Sequence, residues 1–189
     1  MVLRALIFTV CLCLGASATQ ATTVLKVDTP QLVETSEWVV RATVVEVRTE
    51  DLRAEGRAIF TDVEFAVHET YKGLDVPVRY TMRLLGGTGA DGITMKIPGM
   101  PVFVPGEEVV LFLERTSMGH IPCGLGQGVY RVLYTPAGDT WVRQSAGDAH
   151  LVERGPEGHL RAAHKPLAAS ALPLDALLWD VLEALYPTR

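Results

Sequence analysis

His120 and Cys123 stand three residues apart in a segment rich in glycine and proline. A thiolate needs a proton acceptor nearby to be populated, so this pair has the types of a general base and a thiol nucleophile. No acidic residue is placed nearby to orient the imidazole. The opposing expectation is a loop histidine beside a packed thiol, since unpaired cysteine is among the most buried residue types. Directly after them, Gly124-x-Gly126-x-Gly128 has the spacing of a phosphate cradle, which requires a strand before it and a helix N-terminus after it. Here the next residues, Val129-Tyr130-Arg131-Val132, read as a strand, so the glycines are expected to permit a tight bend or bulge. Five histidines are scattered through the chain. Of these only His159 and His164 form a near pair, and no cysteine or carboxylate at ligand spacing supports a zinc site there. Neither a G-x-S-x-G elbow nor an H-E-x-x-H helix occurs. The expectation is a non-catalytic protein without cofactor or metal, and the alternative is a thiol-dependent enzyme using Cys123 as a free thiol.

A second kind of chemistry is contact. Gly86 to Pro105 joins four early glycines to the apolar residues Met95, Ile97, Met100, Val102 and Phe103. Met95, Ile97, Met100 and Phe103 are therefore a candidate partner-binding loop over the mouth of a barrel. The competing expectation is that these side chains plug the barrel. Arg79 and Arg83, on the outer face of one strand, are read as a solvated face.

The start of the chain indicates where such contact would take place. Arg4 precedes the uncharged apolar run Ala5 to Gly15, and small residues follow at Ala16-Ser17-Ala18 and again at Thr19-Gln20-Ala21. This is the pattern of a signal peptide over residues 1–21, cut after Ala18 or Ala21. The run is too short to span a bilayer, which takes about 20 apolar residues. No membrane span is expected after cleavage, and the protein is expected to be secreted or periplasmic. The signal holds one of the 17 basic residues and none of the 22 acidic ones, so the remainder is more acidic than the net charge of −5 of the whole chain. A nucleic-acid partner is not expected, because phosphate is met by surplus Lys and Arg. Cys11 and Cys13 leave with the signal, which isolates Cys123 and excludes an internal disulfide.

The elements that must position these residues are mainly strands. Thr29-Pro30 reads as an N-cap and first helical position, opening a short helix through Glu34. Trp38 to Val47 is dense in β-branched residues, as a central strand is. A charged loop is expected from Arg48 to Arg57. The next strand, Ala58 to Tyr71, alternates Ile59, Thr61, Val63, Phe65 and Val67 against Asp62, Glu64 and His68. Val78 to Leu84 follows as a hairpin partner. Glu108 to Arg115, Val129 to Thr135 and Thr140 to Arg143 supply further strands, and a short hairpin is expected about Gly155 to Gly158. Leu174, Leu177, Leu178, Val181, Leu182 and Leu185 form one apolar stripe of a helix over 174–186, which is expected to dock on the core.

The pieces Trp38 to Val44, Thr61 to Phe65, Tyr71-Lys72-Gly73, Gly86-Gly87, Ile97 to Pro101, Gly106 to Leu113 and Gly124 to Gly128 resemble a domain of secreted bacterial proteins. That domain is sometimes found beside matrixin-type metalloproteases. The strand pattern is similar, more distantly, to the netrin-like fold of tissue inhibitors of metalloproteinases, an OB-type barrel with flanking helices. The resemblance implies a closed or partly open OB-like barrel over 22–189, with a short N-terminal helix and a C-terminal amphipathic one. It also implies a secreted protein or protease as partner. It does not imply the inhibitors' zinc chelation, which uses a mature N-terminal cysteine where this chain would begin at Thr19 or Thr22. The function expected is an extracytoplasmic binding module, with an envelope structural protein that has no specific ligand as a further alternative.

Overall fold

A computed structural model of the chain describes residues 23–145, 150–154, 159–162 and 171–187. The signal peptide read over 1–21 and the residues 155–158 about which a hairpin is expected lie outside them. The fold is mainly β, with two helices. Among the described residues thirteen strands occur, in the order β1 (Thr23–Leu25), β2 (Trp38–Asp51), β3 (Ile59–Lys72), β4 (Arg79–Leu85), β5 (Gly87–Thr88), β6 (Thr94–Met95), β7 (Glu108–Thr116), β8 (Gly119–Pro122), β9 (Val129–Tyr134), β10 (Thr140–Gln144), β11 (His150–Arg154), β12 (Leu160–Ala162) and β13 (Leu172–Pro173). Helix α1 covers Thr29–Thr35 and α2 covers Leu174–Leu185. The main sheet runs β13-β10-β9-β7-β2-β3-β4, with β8 added to β7, while β1, β11 and β12 form a small separate sheet.

Strand β7 carries the apolar run Val109-Val110-Leu111-Phe112-Leu113, and all five side chains are buried. An alternating strand hides one face only, so a run like this needs cover on both. On one side Val109, Leu111 and Leu113 join Val40, Ala42 and Val44 of β2, Val63 and Phe65 of β3, and Met82 and Leu84 of β4. On the other side Val110 and Phe112 meet Leu32 and Val33 of α1 and Leu174, Leu177 and Val181 of α2. Burying each such side chain stabilises the fold by about 1.5–3 kcal/mol.

The first of these cores is enclosed because the sheet curls. Register shifts between Val39 and Val40, Arg41 and Ala42, and Val44 and Glu46 mark irregularities that bend the long β2–β3 hairpin. The margins of the curl, β4 and β8, then meet through a side chain. The Tyr80 hydroxyl accepts from His120 N–H at 2.8 Å and donates to His120 C=O at 2.6 Å. No ladder joins β4 to β8, so the closed form of the expected barrel is not found: the hydrogen-bonded path ends at β4. A tyrosine stands where a ladder would be, and its ring packs edge-on to Trp38 at 5.4 Å.

Other departures from expectation have local causes. The helix cap is Asp28 rather than Thr29, because Asp28 accepts from Gln31 N–H while the Gln31 side chain accepts from Asp28 N–H. Residues 48–51, read as loop, continue β2 in register with β3 down to Asp51 opposite Ile59. Their charges sit on a solvated ladder, where Arg83 pairs with both Glu50 and Asp62. In α2, Leu182 of the expected stripe is exposed, while Leu174, Leu177 and Val181 are buried. Strands β11 and β12 pair antiparallel across the expected hairpin.

Tyr80→Phe removes both hydrogen bonds of the seam and leaves the His120 amide and carbonyl unpaired. Urea unfolding is expected to show a loss of about 1–3 kcal/mol; an unchanged midpoint would mean that the margins are held by packing alone.

Candidate functional site

Residues 86–105 form a strap across one end of the curled sheet. Its first half is a small hairpin, with Gly87 opposite Met95 and Thr88 opposite Thr94. The hairpin lies so close to the sheet that a Cβ on Gly87 would come within 2.7 Å of the Thr61 hydroxyl. A Cβ on Gly89 would fall 2.4 Å from an Asp51 carboxylate oxygen. A clamp sits at this point. The Arg53 guanidinium bonds both carboxylate oxygens of Asp51, at 2.9 and 2.6 Å, and reaches Asp91 in the strap at 2.8 Å. These hydrogen bonds with Arg53 hold the Asp51 carboxyl down at about 2 and also lower that of Asp91.

The second half of the strap is pinned from inside. Phe103 is 5% exposed and sits edge-on to Phe65 at 5.2 Å. Gly126 N–H donates to Gly99 C=O at 2.8 Å. Arg131 donates to Val102 C=O at 2.6 Å while holding Glu107 at 2.9 Å. Extended backbone sends alternate side chains to opposite sides. Phe103 therefore points into the core, while Val102 and Val104 are 73% and 55% exposed.

Between strap and sheet lies a cavity of about 310 Å³. Val47 of β2, Val63 of β3 and Leu84 of β4 line it from the sheet; Met95, Ile97, Met100 and Phe103 line it from the strap. Among the described residues no carboxylate lines it, and Lys96 is the one charged residue that does. Of the four loop residues singled out in the sequence, Phe103 is a core plug. Met95, Ile97 and Met100 are half-buried and shared between cavity and solvent. Arg53, Asp51, Asp91 and Arg131, which hold the strap, carry no signal in the sequence beyond being charged.

Cys123 and His120 do not come together as a catalytic pair. Cys123 is 1% exposed within the core beneath the helices, beside residues such as Phe112 and Tyr130. Burial, with Glu114 adding to it, pushes its thiol up to about 12. His120 belongs to the seam, stacked on Trp38 at 3.6 Å. Its Nε2 stands 3.3 Å from a Glu37 oxygen, outside hydrogen-bond geometry, and has no hydrogen-bond partner among the described residues. The glycine triplet forms a 3₁₀ turn, Leu125–Gly128, in which a Cβ on Gly128 would strike Cys123 and Phe112 backbone at 2.7 Å. Close approach of strands, rather than phosphate, accounts for that glycine. His159 is exposed, and His164 lies outside the described residues. Among the described residues no three His, Cys, Asp or Glu side chains are grouped to hold a metal ion. Nor is any helix among them long and apolar enough to cross a membrane.

In comparisons with protein-family models, curated proteins and solved structures, nothing matches this chain.

A group whose carboxyl is lowered in the fold contributes stability above its unfolded value, near 4, and loses that contribution as pH falls through the folded value. For Asp51 the window runs from about 4 down to about 2. Hydrogen-exchange protection of the Gly89 and Ile93 amides is expected to hold from neutral pH to about 4 and to fall below it, whereas Arg53→Ala should lower it at neutral pH. Protection that stays flat to pH 2 would remove the clamp from the account. The Cys123 thiol is expected to react with a disulfide reagent at least about 100-fold more slowly in the native chain than in urea. Equal rates would restore it as a nucleophile.

Proposed function

We propose that this chain is a non-catalytic extracytoplasmic binding module that presents the strap, residues 86–105, to a secreted protein. The single observation that carries this is the preorganised apolar edge of the strap. Ile93, Val102 and Val104 are each more than half exposed, on a segment pinned by Phe103, Arg131 and the Arg53 clamp. A segment already held in place loses little conformational entropy on association, which is what binding surfaces gain from rigid support. Secretion is supported by the apolar run Ala5 to Gly15 and the small residues after it.

We further assign the curled part of the sheet, β2-β3-β4 with β7 and β8, to a partly open OB-like barrel of netrin-like type. The Tyr80 contact between its margins and the two helices packed outside it support that assignment. A secreted protease is one partner in keeping with the resemblance. Zinc chelation by the chain's own N-terminus is not part of the proposal. The buried thiol of Cys123 argues against the thiol-dependent enzyme.

The test uses a photo-crosslinking residue in place of Val104, exposed to the secreted fraction of the producing cells, with the captured partner identified and rebound in pure form. Binding in the micromolar range or tighter is expected, weakened at least about tenfold by Ile93→Asp with Val104→Asp, since that loss corresponds to about 1.4 kcal/mol. A partner whose affinity ignores both changes would place the contact elsewhere. Turnover of a substrate by the pure chain would end the non-catalytic reading.

A further inference from the structure

The cavity beneath the strap is partly open to solvent and shares only Val102 with the outward contact proposed above. We propose that it is a binding site for a small uncharged apolar molecule, of the size of two fused rings or a medium hydrocarbon chain.

Size is the first argument. Well-packed interiors hold few voids larger than a water molecule, and natural ligand pockets begin near 300 Å³. An engineered apolar cavity of about 150 Å³ is large enough to take up benzene. At about 310 Å³ this cavity has roughly twice that room.

Chemistry is the second. Val47, Val63, Leu84, Met95, Ile97 and Met100 supply hydrocarbon and thioether surface. Three of the hydroxyls beside them are already engaged: Thr61 donates to Gly86 C=O at 2.7 Å, and Thr88 and Thr94 bond each other at 3.0 Å. An ordered water needs two to four polar partners, so such a lining favours an apolar occupant over a chain of waters. An ammonium drawn inside would lose its hydration and meet the like charge of Lys96 in the lining, which selects against a cation.

Access is the third. The strap is pinned by the clamp at Asp91 and by Phe103 and Arg131 at its far end. Residues 92–98 lie between the pins, over the cavity, and begin at Gly92, whose surroundings are open and whose φ is +80°. Entry beneath this stretch leaves Phe103 seated and the core intact. The methionines suit a site that adapts to its guest, because an unbranched thioether side chain repacks readily.

The experiment is a titration of the purified chain, labelled with ¹³C at its methionine methyl groups, with indole and with 1-octanol. Saturable shifts are expected at Met95 and Met100, with Kd on the order of 0.1–1 mM for ligands of about nine heavy atoms. Met82, in the core, and Met118, exposed on the turn between β7 and β8, report on non-specific effects and are expected to stay in place. Octylammonium, with the same chain length and a positive charge, is expected to bind at least tenfold more weakly than 1-octanol. Met95→Trp fills the cavity and is expected to weaken indole binding at least tenfold. Ile97→Phe serves the same purpose if near-ultraviolet circular dichroism shows that the first variant is not folded. Absence of saturation, equal shifts at Met82 and Met118, octylammonium binding as tightly as the alcohol, or full retention of binding in the filled variants would each overturn the proposal. No partner protein is present in the titration, so its outcome is separate from that of the outward contact.

Discussion

Five consecutive apolar residues in β7, Val109 to Leu113, must leave water on both faces at once, and the rest of the molecule is arranged around that demand. One face is satisfied by curling the sheet until β4 reaches β8. The other is satisfied by laying α1 and α2 across the back. The two solutions depend on each other, since Val39 of β2 supports the helix side while Val40 and Ala42 beside it support the inside of the curl. Lys72 strengthens the join from outside, donating to the C-terminal carbonyls of α1 at Val33 and Ser36. Gln127 does the same for the N-terminal segment, bonding Val27 N–H and Leu25 C=O from the 3₁₀ turn.

A curled sheet left open at its margins has a seam and an end. The seam is managed by aromatic rings: Tyr80, Trp38 and His120 stack and bond where a ladder would otherwise run. The end is managed by the strap. Phe103 packs into the core there against Phe65, and the strap's remaining apolar side chains divide between an inner cavity and an outer edge. Packing and presentation thus fall to the same twenty residues. Holding the strap by charged groups at its tip and by an aromatic plug at its base leaves its middle over the cavity.

Much of this was legible from residue types. The β-branched alternation of Ile59 to Phe65, the stripe of α2 and the apolar run of β7 each announce an element, because hydrophobic periodicity is set by local backbone geometry. The end of β2 was not legible. Arg48 to Asp51 are charged residues in a ladder, and nothing local tells a solvated ladder from a loop. Strand β8, only four residues long, was missed for a similar reason, since Gly119 to Pro122 contains little β-rich composition. At the candidate site the four apolar loop residues were identifiable, but not the difference in their fates: Phe103 and Met100 look alike in the chain, and only one reaches Phe65.

The sequence by itself determined that strands dominate, that a short helix and a long apolar-striped helix flank them, and that no familiar catalytic motif is present. These follow from composition, spacing and short-range sterics. Only the tertiary structure decided that the sheet's margins meet through Tyr80 rather than a ladder, that Arg53, paired with Asp51, reaches Asp91 across 38 positions of chain, and that a cavity remains under the strap. Such features depend on distances between residues remote in sequence, and those distances are settled only when both faces of β7 are buried together.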